Sequence, residues 1–204
     1  MTVPNKELMA QARGRLANKW GVMGLTLLIY MLIAIGIQFL PTAALIVVSF
    51  AVSGPLQIGL LSLCLSVSRG GDAEIDRIFQ WFKNGNSYWR AFWLTILLQV
   101  YILLWMLLLI VPGFIAIYSY TLAPYILNDN PDMTPNQAIA RSKKLMYGHR
   151  WRLACLQGRF IGWWLLCILT VGIGSLWLVP YYQVSVSRFY DDLLANGTEP
   201  QVIV

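Results

Sequence analysis

Arg159 stands at the edge of a basic segment, immediately before an uncharged run from Phe160 to Ser187. Five further cations precede it: Arg141, Lys143, Lys144, Arg150 and Arg152. A guanidinium matches a phosphate through paired hydrogen bonds. Cations beside an anionic lipid surface contribute about 1 kcal/mol each. These residue types at this spacing therefore point to contact with lipid head groups. A second reading stays open for Arg159, which falls about two turns inside an apolar segment. A charge at the bilayer centre costs about 2.5–3.5 kcal/mol, and a long side chain that reaches back to the interface avoids much of that cost.

Other chemistries find little support. His149 is the only histidine, so neither a histidine-based metal site nor a Ser-His-Asp triad can form. Cys64, Cys155 and Cys167 lack metal-ligand spacing and read as apolar filler. Asp129/Asp132 and Asp191/Asp192 fall in polar segments. The first pair suits a turn at a helix exit, or a cation or partner site; the second suits pairing with nearby basic residues. The three uncharged stretches hold no carboxylate of the kind that coupled carriers place near mid-membrane. Gln38, Gln57, Gln99, Gln157 and Gln183 suit interhelical hydrogen bonds, about 0.6 kcal/mol each, or the lining of a polar groove. No catalytic residue, cofactor or metal is expected, and the chain does not read as an enzyme.

The elements that position these residues follow from charge layout. The chain carries 15 Lys and Arg against 9 Asp and Glu, and only 12% of its residues are charged. Soluble domains average about one quarter. Mean hydropathy is +0.61. Charges fall in four clusters, Lys6 to Lys19, Arg69 to Arg90, Asp129 to Arg159 and Arg188 to Glu199. Between them lie uncharged stretches at Trp20 to Ser68, Ala91 to Asn128, and Phe160 to Ser187. A spanning helix needs roughly 20 apolar residues, so the first two stretches each accommodate a pair. The third does so only if Arg159 and Arg188 lie inside helix ends and extend their heads to the interface. Pro41, Pro112-Gly113 and Gly172 with Gly174 mark the turns. Expected spans are 22–40, 44–67, 91–111, 114–128, 153–171 and 175–191.

The expected fold class is all-α, a polytopic transmembrane bundle of about six spans as three hairpins, each preceded by an amphipathic interfacial helix. With a cytoplasmic N-terminus every Lys and Arg lies inside, as the positive-inside rule requires. Both termini are then cytoplasmic. Three polar segments read as amphipathic helices. Leu8, Ala12 and Leu16 form one stripe; Ile75, Ile78, Phe79 and Phe82 form a second. Thr134 to Gln137 reads as a capping box opening a third, with Ala138, Ile139, Ser142, Leu145 and Met146 on its apolar face. Helices with this pattern lie in the interface plane; alternatively the three pack together as a small cytosolic layer.

These pieces recur as repeat-like units of one domain, about 4–70, 71–131 and 132–195. Asn18-Lys19-Trp20, Ser87-Tyr88-Trp89-Arg90 and His149-Arg150-Trp151-Arg152 lead into the three pairs. Each second span carries a proline, Pro55, Pro124 or Pro180, followed within two residues by Gln57, Tyr125 or Tyr181-Tyr182. Proline frees a carbonyl one turn earlier, which needs a partner inside a membrane. Three kinks at matching places predict second spans that face a shared centre.

An ordered set of short motifs carries a family resemblance. It runs through Ile110-Val111-Pro112-Gly113, Tyr118-Ser119-Tyr120, Ala123-Pro124-Tyr125-Ile126 and Asp129-Asn130-Pro131. Ser142-Lys143-Lys144-Leu145-Met146, Gly148-His149-Arg150, Phe160-Ile161-Gly162-Trp163 and Thr170-Val171-Gly172-Ile173-Gly174 follow, ending at Phe189-Tyr190. Over about residues 5–195 the chain resembles the bacterial membrane protein family of domain of unknown function 975. It is more distantly similar to the membrane domain of some glycerophosphodiester phosphodiesterases. The family pattern has a serine where Arg159 stands and a phenylalanine where Ala154 stands. The resemblance implies a membrane fold and membrane-lipid biology, and transfers no catalytic residue. The function expected is a non-enzymatic membrane protein that associates with inner-leaflet anionic lipid or organises the membrane. The alternative is a transporter component or channel-like pathway for a lipid, peptide or amphiphile. Expected partners are anionic membrane lipids and a membrane protein, not nucleic acid.

Overall fold

In a computed structural model the described residues are 3–196, except 18, 40, 109 and 171–173. They are all-helical, with no strand among them. The helices are α1 (Asn5–Leu16), α2 (Trp20–Gln38), α3 (Thr42–Ser68), α4 (Gln80–Lys83), α5 (Gly85–Leu108), α6 (Ile110–Tyr120), α7 (Ala123–Asp129), α8 (Pro135–Leu145), α9 (Arg150–Gly158), α10 (Ile161–Leu169) and α11 (Ser175–Ala195). A 3-10 turn at Ile75–Ile78 precedes α4. Four stretches are long and apolar enough to cross a membrane: Trp20–Gln38, Ala51–Ser68, Gly85–Leu107 and Arg150–Leu169. Leu32, Leu103, Leu107, Ile168 and Leu169 point outward. Apolar exposure on this scale fits a lipid environment better than water.

α3 and α11 form the centre. α3 packs on α11, α5, α7 and α2, while α11 also meets α1, α2 and α10. Leu56, Ile58, Leu61, Leu63 and Leu65 of α3 are buried, as are Leu178, Val184, Val186 and Phe189 of α11. α2, α5 and α10 cover the outside and expose most of their apolar residues.

Proline sets several boundaries, not all at the expected places. Pro41 stands immediately before α3, as expected. Pro112-Gly113, expected to divide α5 from α6, lies inside the first turns of α6. A first-turn proline loses no helical hydrogen bond, so α6 begins before it. At Gly113 a Cβ would come within 2.7 Å of Met106 Cγ, so glycine allows α6 to close onto α5. The kink expected at Pro124 within a span of 114–128 is a full break. α6 ends at Tyr120 and Pro124 lies in the first turn of α7. Pro55 and Pro180 sit inside continuous helices, as expected. The span expected at 153–171 corresponds to the candidate span Arg150–Leu169, with a tightened turn between α9 and α10 inside it. Arg159 and Phe160 donate their amides three residues back, to Leu156 and Gln157 (3.3 and 2.9 Å), and α10 restarts at Ile161. The turn expected at Gly172 lies outside the described residues.

The amphipathic stripes differ from expectation more instructively. Leu8, Ala12 and Leu16 are buried against the protein itself, because α1 packs on α11, α3 and α9. The α8 face is equally buried, against α7, α5 and α6. Its capping box forms as expected: Gln137 donates its amide to Thr134 Oγ1 (3.4 Å), and Thr134 donates its amide to Gln137 Oε1 (2.9 Å). The helix expected from Asp72 to Phe82 is not one helix. The switch from 3-10 turn to α4 buries Ile78 and Trp81, and leaves Phe79 and Phe82 exposed. Gly59 explains the switch. A Cβ there would lie 2.1 Å from the Ile78 carbonyl oxygen, so the segment docks by backbone against α3. Gly59→Ala is expected to destabilise the protein by at least 1–3 kcal/mol, roughly the cost of overpacking a filled core. Thermal unfolding in detergent, compared with Gly24→Ala at an open position, measures it.

Candidate functional site

One end of the bundle gathers the charges. At its centre Arg69, just past the end of α3, grips two carboxylates. Its Nη1 and Nη2 donate to both oxygens of Asp129 at 3.0 and 2.6 Å. Its Nε and Nη2 both donate to Asp191 Oδ1 at 3.0 Å. Ser68 Oγ donates to the other Asp191 oxygen at 3.3 Å. Asp129 ends α7 and Asp191 lies in the last turns of α11, so one guanidinium ties the ends of three helices. The bonds to Asp129 push its pKa further above an already high ordinary value, so Arg69 stays charged.

A second network fixes the N-terminus. Arg152 lies 2.7 Å from Asp192 Oδ2 and donates to the Val3 carbonyl. Its guanidinium carbon stands 5.1 Å from the centre of the Phe189 ring. Asp192 Oδ1 accepts from the Val3 amide at 3.2 Å and from Asn196 Nδ2 at 3.0 Å. Asn5 Nδ2 donates to the Arg152 carbonyl at 2.9 Å.

These networks sort the six cations singled out by sequence. Arg152 is mostly buried and engaged, and offers little to a ligand. Lys143 and Lys144 are exposed in the last turn of α8, and Arg141 is half-buried. Arg150 stands over the exposed Tyr147 ring, 5.9 Å from its centre. It shares with Lys143 a recess of about 180 Å³ lined also by Trp105, Ser119 and Tyr120. Arg159 is exposed at the break between α9 and α10. It faces a different recess, of about 410 Å³, with Lys6, Met9, Ala10, Arg13 and Tyr181. The six therefore do not form one cluster. The partners that Arg159 meets, Lys6 and Arg13, are seven residues apart and so share one face of α1. Sequence exposes that shared face but not which helix it approaches.

The prolines lead to a second feature. Gln57, Pro124, Tyr125, Tyr182 and Gln183 line one cavity of about 290 Å³, with Thr121 and apolar residues of α3, α5, α6 and α11. The residues that follow the three prolines thus do reach a shared centre. Tyr125 Oη donates to Gln183 Oε1 at 3.0 Å, and Gln157 Nε2 donates to Tyr182 Oη at 2.7 Å. Gln38 and Gln99 are exposed, away from this cavity. No cluster of metal-ligating side chains occurs among the described residues.

A family model described as protein of unknown function (DUF975) matches residues 1–123 and 106–197. The chain belongs to that family. No curated protein and no solved structure matches it. In this DUF975 member the residue that organises the polar end is Arg69. Its replacement leaves Asp129 and Asp191 facing each other without a counter-charge. Arg69→Ala is expected to cost about 2 kcal/mol, the range for hydrogen bonds to charged groups. Asp132→Asn, at a fully exposed carboxylate 3.4 Å from Arg90, is expected to change stability little. Thermal melts of both variants in detergent make the comparison.

Proposed function

We propose that this protein is a non-enzymatic integral membrane protein of the bacterial inner membrane whose polar end associates with anionic phospholipid. One observation carries the reading. Lys6, Arg13, Lys143, Lys144, Arg150 and Arg159 have no ion-pair partner among the described residues, although most carboxylates at the same end are paired. Exposed Tyr147, Trp151, Trp89 and Trp93 accompany them. Unpaired cations beside amphipathic rings suit the head-group layer.

In this reading α2 with α3, α5 with α6–α7, and α9–α10 with α11 cross the bilayer as three hairpins, six spans in all. Packing between the members of these pairs supports it. The charged segments then face the cytoplasm, with both termini inside. A reporter that is active only outside the inner membrane, fused to the C-terminus, should stay silent; activity contradicts this topology.

The lipid preference is read from the phospholipids that copurify with the protein in mixed phosphatidylglycerol and phosphatidylcholine bilayers. The account expects severalfold enrichment of phosphatidylglycerol, reduced by high salt and by K143Q/K144Q/R150Q. Equal recovery of both lipids contradicts it. The cavity between the proline-bearing helices favours a second reading, a channel-like pathway or transporter component for a lipid, peptide or amphiphile. Transfer of a labelled lipid across proteoliposomes by the full chain, lost in Gln57→Leu, would favour that reading.

A further inference from the structure

The recess that holds Lys6, Arg13 and Arg159 does not end at those cations. Arg13 and Tyr181 also line a second recess of about 430 Å³, which continues between α2, α10 and α11. Its walls are Trp20, Trp163, Leu166, Cys167, Trp177 and Leu178. Apart from Arg13, the polar groups on it are the hydroxyls of Thr170 and Tyr181 and the indole N–H groups of the three tryptophans. Thr170 Oγ1 already donates to the α10 carbonyls of Leu166 and Cys167.

The junction is held in place. Tyr181 is buried and donates its hydroxyl to the Met9 carbonyl at 3.3 Å, linking α11 to α1. Arg13 lies over the same ring, its guanidinium carbon 5.6 Å from the centre. Phe160, the residue after Arg159, packs edge-on against Tyr181 at 5.2 Å between centroids. One aromatic residue therefore positions both α1, which brings Lys6 and Arg13, and the helix break that brings Arg159.

From this geometry we infer a slot for a single anionic phospholipid. Its phosphate sits among Lys6, Arg13 and Arg159, and one acyl chain lies along the groove between α10 and α11. The inference rests on the anionic-lipid reading above and gives it a site. Three cations without a carboxylate partner among the described residues complement a phosphate. The apolar continuation distinguishes a lipid from a free anion, which would leave the groove unused. It also disfavours a peptide, whose backbone N–H groups would find almost no acceptors there. From Gly174 to Tyr181 the groove follows α11 for about 10 Å at 1.5 Å per residue, so a longer chain emerges into the bilayer. The charged recess meets α11 at Tyr181, and the apolar recess runs on from Tyr181 to Gly174 and along α10 to Thr170, which directs the chain away from Arg159.

Native mass spectrometry of the full chain tests the slot, with phosphatidylglycerol, phosphatidylcholine and glycerol phosphate as probes. One phosphatidylglycerol should remain bound after detergent removal, in preference to phosphatidylcholine, and glycerol phosphate alone should not bind. R13Q/R159Q should lower occupancy about tenfold. L166W, which fills the groove and keeps every cation, should also lower it. R77Q/K83Q, which removes the same charge at residues paired elsewhere, should not. Occupancy unchanged by both R13Q/R159Q and L166W overturns the slot, and overall phosphatidylglycerol enrichment would then leave the broader reading standing. Binding of glycerol phosphate as tight as that of the lipid reduces the site to an anion site. No preference of the unmodified protein for either lipid defeats the broader reading itself.

Discussion

The arrangement depends on one guanidinium holding two carboxylates. Arg69 draws together the ends of α3, α7 and α11 through Asp129 and Asp191. Those three helices also carry Pro55, Pro124 and Pro180. Without the cation, two like charges would crowd each other in a partly desolvated setting, where repulsion is stronger than in water. With it, the helix ends converge, and the residues beyond the prolines meet around a common cavity. The bidentate geometry toward Asp129 gives the tie direction as well as strength. A lysine could match the charge but not the four bonds.

The second tie, between Arg152 and Asp192, determines which cations remain available. It fastens the start of the chain across α9 and α11, so that α1 lies with its apolar stripe inward. An inward stripe leaves Lys6 and Arg13 on the exposed side of α1. The same docking places them beside Arg159. Neutralising Arg152 inside the protein and exposing Arg159 at a helix break are thus two consequences of one packing arrangement. Proximity in sequence would have grouped these arginines together; the fold separates them by role.

Much of this was legible in the residues themselves. The uncharged stretches became apolar helices, Pro41 placed a turn, and Thr134 with Gln137 closed a capping box. These are local features, decided by composition, backbone sterics and neighbouring side chains. The misplaced features are those decided by partners distant in sequence. Ile75, Ile78, Phe79 and Phe82 have helical spacing, but Gly59 on another helix admits the Ile78 backbone and breaks the pattern. The stripes of α1 and α8 have the amphipathicity of interfacial helices, and periodicity alone does not distinguish a lipid surface from a protein one. Pro112 read as a turn marker and Pro124 as a kink within a span, yet each stands in a helical first turn once neighbouring helices fix the path. The break at Arg159 carries no proline, and Gly158, the last residue of α9, is the weaker signal that marks it.

The central claim is that the polar end positions an anionic lipid with its chain between α10 and α11. Photo-crosslinking with a phosphatidylglycerol that carries a diazirine in one acyl chain addresses it most directly. The account predicts labelling concentrated on Trp163, Leu166 and Trp177, competed by unlabelled phosphatidylglycerol and not by phosphatidylcholine. Even labelling of all outward apolar faces, Leu103, Leu104 and Leu107 of α5 included, would contradict it.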